Sequence, residues 1–149
     1  MTVITLENIS LLGIYYSTMK NSLIILILGA LMVSCTKSPG IGGKAKLTGT
    51  IEAIFVQKGS FDTLSIESIP DHRVYIVYGD GALQDDDTRT SPNGGYKFEF
   101  LNPGDYKIYT YSESLLIPSG LEEVTTKITI GKKDTEVTVP KLTIIQYVK

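Results

Sequence analysis

The chain has one cysteine, one histidine and no tryptophan. A lone cysteine excludes an intrachain disulfide and a cysteine-rich zinc site. A lone histidine leaves little material for acid–base chemistry near neutral pH. An excess of positive charge is also missing: 14 Lys and Arg stand against 16 Asp and Glu, a net charge of −2. Nucleic-acid binders need basic residues to neutralise phosphates, so that class is excluded as the default. The longest apolar run, Leu23 to Val33, has 11 residues, whereas a membrane-spanning helix needs about 20. No stretch after residue 35 keeps a helical period. What the chain does have is a hydrophobic fraction of 42%, enough for a packed core and too much for wholesale disorder.

The apolar run has the length of a secretory-signal core, about 7–15 residues. Lys20 precedes it and Ser34-Cys35 closes it. This arrangement resembles the lipobox of bacterial lipoproteins, here Met32-Val33-Ser34-Cys35, with Met32 where Leu is usual. The resemblance implies cleavage before Cys35 and lipidation of its thiol; the alternative is a thiol with no role. Thr36 to Gly40 is similar to the short polar tether of Bacteroidetes lipoproteins. Residues 1–18 carry Glu7 and no basic residue, which suits neither a signal nor a domain. Translation from Met19 accounts for them most simply. The expected division is a signal segment over 1–34, a lipidated flexible tether over 35–44 and one domain over 45–149.

Beyond the tether the apolar pattern has a period of two. Over 45–55, Leu47, Ile51, Ala53 and Phe55 share one face, and Gly49 among them signals a bulge or a close backbone approach. Residues 73–78 are apolar on both faces, which predicts a central strand. Further strands are expected over 96–100, 106–111, 124–130, 134–139 and 142–147. The Pro92-Asn93-Gly94-Gly95 turn predicts a hairpin with Thr88 to Ser91 as the partner arm. Asn102-Pro103-Gly104-Asp105 predicts a type II turn. The expected fold is all-β, a single Greek-key-like sandwich of about seven strands.

Several short motifs recur together between Val74 and Tyr109. They are Val74-Tyr75-Ile76, Thr88-Arg89-Thr90, Gly95-Tyr96-Lys97-Phe98, Leu101-Asn102-Pro103-Gly104 and Tyr106-Lys107-Ile108. The set resembles the carboxypeptidase regulatory-like domain, a transthyretin-like sandwich related to Cna protein B-type domains. The resemblance implies that Phe98 and Phe100 fill the core and that Tyr106 packs over a corner. It implies a fold, not a function.

Candidate sites are few. Asp80, Asp85, Asp86 and Asp87 share an acidic loop, a weak start for a calcium site that lacks a closing glutamate. The alternative is a solvated loop. Asp71-His72-Arg73 holds the only His, with no Gly-x-Ser-x-Gly elbow to serve it, and reads as a surface loop. Tyr75, Tyr109 and Tyr111 lie in the phase opposite the core residues of their strands. On neighbouring strands they would form an aromatic platform of the kind that binds sugars or proteins; otherwise they merely cover the sheet. Cna B-type domains also form Lys–Asn isopeptide bonds. Lys46 points outward and the only mature asparagines, Asn93 and Asn102, sit in turns, which disfavours that chemistry. The sequence thus predicts a non-catalytic structural or binding module with no cofactor. It would be held by lipid in the bacterial envelope, on the outer membrane, with a glycan or an envelope protein as partner and no nucleic acid. A small envelope hydrolase is the rival class.

Overall fold

The computed structural model describes residues 38–149. The signal segment 1–34, the start at Met19 and the lipidation candidate Cys35 lie outside the described residues. Every regular element described is a β-strand: β1 (Ile41–Gln57), β2 (Thr63–Ser68), β3 (Arg73–Tyr78), β4 (Asp86–Arg89), β5 (Gly95–Leu101), β6 (Gly104–Glu113), β7 (Leu121–Ile130), β8 (Glu136–Thr138) and β9 (Leu142–Val148). The nine strands make two sheets.

The first sheet is organised on β1, a strand of 17 residues. Antiparallel β5 and parallel β8 flank its first half; antiparallel β2 and parallel β9 flank its second. The second sheet is antiparallel throughout, in the order β4-β3-β6-β7. The inner faces meet in a core built from Leu47, Ile51 and Ala53 of β1, Val74 and Ile76 of β3, Phe98 and Leu101 of β5, Ile108 of β6 and Ile144 of β9. Alternate residues of each strand face the core because successive side chains point to opposite sides of a sheet. The all-β sandwich expected from the period-two pattern is what the chain forms, and β3 is central in its sheet as its two apolar faces require.

Gly49 accounts for its own presence. A Cβ there would collide with the ring of Tyr96, its register partner on β5. The missing side chain lets the Tyr96 ring lie flat over β1, the close approach expected from a strand glycine. The Tyr96 hydroxyl is buried with no hydrogen-bond partner, and burial pushes its pKa well up.

The structure departs from the sequence reading in five places. First, Phe100 does not fill the core: it is 67% exposed with φ +61°. Between Leu47↔Phe98 and Ala45↔Leu101, β1 advances two residues and β5 three. This bulge turns Phe100 out and puts Leu101 in its place. Second, β2 (Thr63–Ser68) forms in a segment for which no strand was expected. Third, the Pro92–Gly95 turn closes locally, with Ser91 N–H donating to Gly95 O at 2.8 Å, but its arms do not pair. β4 joins β3 and β5 joins β1, so the turn crosses between sheets. Fourth, Asn102–Asp105 is likewise a crossing from β5 to β6, with Gly104 at φ +149° rather than the φ of about +80° a type II turn needs.

The fifth departure concerns the tether. Residues 41–44 belong to β1, and the residues just before them are strapped down. Gly40 O accepts from Asn102 N–H at 2.8 Å. The Asn102 side-chain amide donates to Ile41 O at 3.1 Å and Ser38 O at 3.4 Å. Gly40 N–H donates to the Tyr106 hydroxyl at 3.0 Å, which itself donates to Asn102 O at 2.6 Å. Tyr106 is fully buried and forms a tyrosine corner, with its hydroxyl bonded to backbone four residues upstream. Pro39 packs on Gly104, where a Cβ would collide with its ring.

The edges of the sheets differ. Beyond β9, Ser112 Oγ accepts from Ile145 N–H at 2.8 Å and a Glu113 carboxylate oxygen accepts from Tyr147 N–H at 2.7 Å. Two side chains of β6 thereby satisfy backbone donors that an open edge would present to another chain.

Candidate functional site: an aromatic platform and its cleft

The outer face of the second sheet carries the three tyrosines singled out by phase. β3 and β6 are hydrogen-bonded neighbours, and Tyr75 stands directly opposite Tyr109. Their rings stack with centroids 4.9 Å apart and planes 16° apart. Tyr111, two residues further along β6, meets both edge-on at 5.8 Å. Offset stacks and edge contacts are the arrangements the ring quadrupole favours, so the three rings hold one another in place. Exposure rises across the cluster: Tyr109 is buried at 6%, Tyr75 is intermediate and Tyr111 is 39% exposed.

The burial of Tyr109 has a local cause. After β3 the chain folds back over the outer face. Gly81 lies against Val77, and the Tyr109 hydroxyl donates to the Gln84 side-chain oxygen at 3.2 Å. Burial pushes the Tyr109 pKa up, with Tyr111, Glu123 and Tyr75 adding to the shift. The hydroxyl therefore stays protonated and remains a hydrogen-bond donor.

Charged groups frame the rings. Lys107 Nζ sits 4.9 Å over the Tyr109 ring and 3.2 Å from a Glu123 carboxylate oxygen. A cation over a tyrosine face is attracted by the ring quadrupole. From Lys107 a cleft of about 230 Å³ opens along β6 and β7, lined by Gly79, Asp80, Asp105, Tyr106, Lys107, Lys127, Ile128 and Thr129. Lys127 stands directly opposite Lys107, and Thr129 Oγ1 donates to Asp105 at 2.6 Å. An apolar ring surface thus lies beside a small cleft rich in donors and acceptors. The cleft was missed in the sequence because its residues come from separate strands and a loop, and only the register brings them together.

The other candidates do not assemble. Asp85 accepts from Tyr78 N–H at 2.7 Å, Asp86 from Asp87 N–H at 2.8 Å, and Asp87 lies 3.5 Å from Arg73. Among the described residues no three His, Cys, Asp or Glu side chains converge as a metal site. Each carboxylate of the Asp85–Asp87 run thus serves a local partner, and Asp80 lines the cleft instead. His72 is half-buried rather than a free surface residue. Its Nε2 is 2.7 Å from Thr110 Oγ1, a hydroxyl that also lies 2.8 Å from Arg73 O. Desolvation lowers the His72 pKa, opposed by a bond to Tyr111 backbone. Lys46 Nζ meets Glu136 at 3.0 Å, Asn93 accepts from Ser91 Oγ at 2.6 Å and Asn102 holds the strap. No Lys–Asn pair of the isopeptide kind is formed by these residues.

No family model matches the chain, and no curated protein matches it in sequence. Among solved structures it is similar to a candidate carbohydrate-binding protein of Pseudomonas aeruginosa. That likeness has 15% identity and a TM-score of 0.41, and it covers 71% of this chain and 92% of the other. The chain is also similar to the minor pilin of Streptococcus agalactiae, with 15% identity and a TM-score of 0.42, over 75% of this chain and 47% of the pilin. Both similarities are distant.

Proposed function

We propose that this chain is a non-catalytic binding module of the bacterial cell envelope, anchored by lipid on Cys35, which recognises a glycan on the outer face of its second sheet. The observation that carries this reading is the Tyr75–Tyr109–Tyr111 platform beside the cleft of Asp80, Asp105, Lys107 and Lys127. A sugar ring has an apolar face that packs on an aromatic ring and hydroxyls that bond to neighbouring polar groups. Ligand sites in general pair an apolar surface with a few convergent polar groups. A non-catalytic role is supported by the state of His72, whose partner Thr110 is wholly buried and already bonded to backbone. The lipobox-like Ser34-Cys35 supports the anchor, and the motifs between Val74 and Tyr109 support membership of the carboxypeptidase regulatory-like domains.

Affinity electrophoresis through gels containing envelope polysaccharides tests the reading. The wild-type protein is expected to be retarded by at least one of them, and Tyr75→Ala and Tyr111→Ala to run free while still folding cooperatively in urea, with somewhat lower midpoints from the lost ring contacts. Equal retardation of wild type and both variants, or none for wild type across the set, contradicts it.

A further inference from the structure

The sandwich has two ends, and only one of them lies close to Cys35 along the chain. At one end the strap from Ser38 to Ile41 is bonded to Asn102 and Tyr106. Only Thr36 and Lys37 separate Cys35 from the strap. Three peptide units span about 11 Å at full extension. Whatever holds Cys35 therefore holds this end of the domain close to it. The far end is the loop after β6. β6 runs ten residues away from Gly104, which is about 33 Å at strand rise.

Two large apolar side chains stand out at the Cys35 end. Phe100 is 67% exposed and Ile41 66%. Ile41 is a register partner of Leu101, the residue after Phe100, so the two lie at the same corner of the first sheet. Phe100 is also held at φ +61°, a backbone region that side chains with a Cβ rarely adopt. The bulge that sets this φ lifts a bulky ring out of the core and onto the surface, where water gives it nothing. Phe61, in the turn after β1, is likewise exposed at positive φ, so what distinguishes Phe100 is its place beside the short tether to Cys35.

We infer that Phe100 and Ile41 form a membrane-contact corner that dips into the lipid interface carrying the acyl chains of Cys35. This inference rests on the lipid-anchored reading above. The short tether brings the corner to the bilayer, and the bilayer covers the apolar surface that water would otherwise wet. Acyl chains on Cys35 hold the protein to the membrane; the corner fixes its orientation. The platform on the second sheet is then presented in a defined direction instead of tumbling. The cleft next to Gly104 sets Asp80 and Asp105 against Lys107 and Lys127, so its formal charges cancel. Lys37 and Lys44 add positive charge near Cys35 in the chain, and the exposed Phe100 and Ile41 supply the apolar insertion.

The chain has no tryptophan, so a single introduced one reports its own surroundings. Phe100→Trp is made in the full-length lipoprotein, with Leu116→Trp as the reference, at a site 94% exposed on the far loop. Each protein is reconstituted in vesicles of phosphatidylethanolamine and phosphatidylglycerol with brominated acyl chains. The indole at position 100 is expected to emit at shorter wavelength and to be quenched by bromine, and the indole at position 116 to do neither. Unquenched emission from the Phe100→Trp protein, in a sample that carries lipid by mass and floats with the vesicles, overturns the corner and leaves the anchor standing. A blue shift without bromine quenching shows a protein surface over position 100 and overturns it as well. An unlipidated Cys35 with no flotation removes the anchor, and the corner with it.

Discussion

The Tyr106 hydroxyl accepts from the Gly40 N–H at 3.0 Å, across 66 positions of chain. Through this bond and its own donation to Asn102 O, one side chain fastens the start of the domain to the crossing between the sheets. Replacing Tyr106 by Phe keeps the ring and deletes both bonds. It leaves the buried Gly40 N–H without that partner, a loss of about 1–3 kcal/mol. Urea melts of Tyr106→Phe should show that loss at unchanged m-value. A change below about 0.5 kcal/mol would mean the hydroxyl contributes no net stability.

Tyr96 predicts the opposite behaviour. Its hydroxyl is buried and unpartnered, so Tyr96→Phe removes an unpaired polar group. Stability should stay level or rise by up to about 1–3 kcal/mol. Gly49→Ala drives a methyl into the same ring and should cost about 1–3 kcal/mol, the range for overpacking. Thermal melts of the pair would show the contrast, and a stable Gly49→Ala protein would refute the ring's position.

β5 supplies a test of phase. Phe98 is buried at 5%, and Phe98→Ala should cost about 3–5 kcal/mol. Phe100 lies two residues on, in the same nominal phase, yet Phe100→Gly should be neutral or stabilising by up to about 1 kcal/mol, since glycine accepts the positive φ. Equal damage from both in urea would show that the bulge is absent.

His72 gives a pH dependence whose sign is fixed. Its folded pKa lies below the ordinary 6.5, so below that pH the unfolded chain binds the proton first. Stability is therefore full above about pH 6.5 and falls as pH drops through the folded pKa. Urea midpoints measured down to about pH 5, before the carboxylates titrate, should decline in wild type and stay flatter in His72→Gln. A wild-type midpoint that rises on acidification would reverse the assignment.

The parts of this fold legible in the sequence are those set by one strand at a time. Leu47, Ile51 and Ala53 revealed their face because alternation needs no partner. Tyr75, Tyr109 and Tyr111 could be grouped by phase for the same reason, and register then brought their rings together. Phe100 misled because one extra residue in β5 shifts the phase, and nothing local marks it. β2 stayed hidden because its alternation is only two apolar residues long, Leu64 and Ile66, too short a run to stand out from a loop; both side chains are exposed in the fold. The Ser-, Pro- and Gly-rich start looked like a free linker, since composition does not show which backbone groups Asn102 and Tyr106 will hold. The cleft beside Lys107 depends on several chain segments at once and has no signature in any of them.

The central claim, glycan recognition on the second sheet, is tested most directly by amide chemical-shift mapping. The ¹⁵N-labelled protein is titrated with the envelope polysaccharide that retards it most. The account predicts perturbations centred on Tyr75, Tyr109, Tyr111, Lys107 and Lys127, saturating together. Perturbations centred instead on β2 or on the loop after β6, or none at saturating polysaccharide, would contradict it.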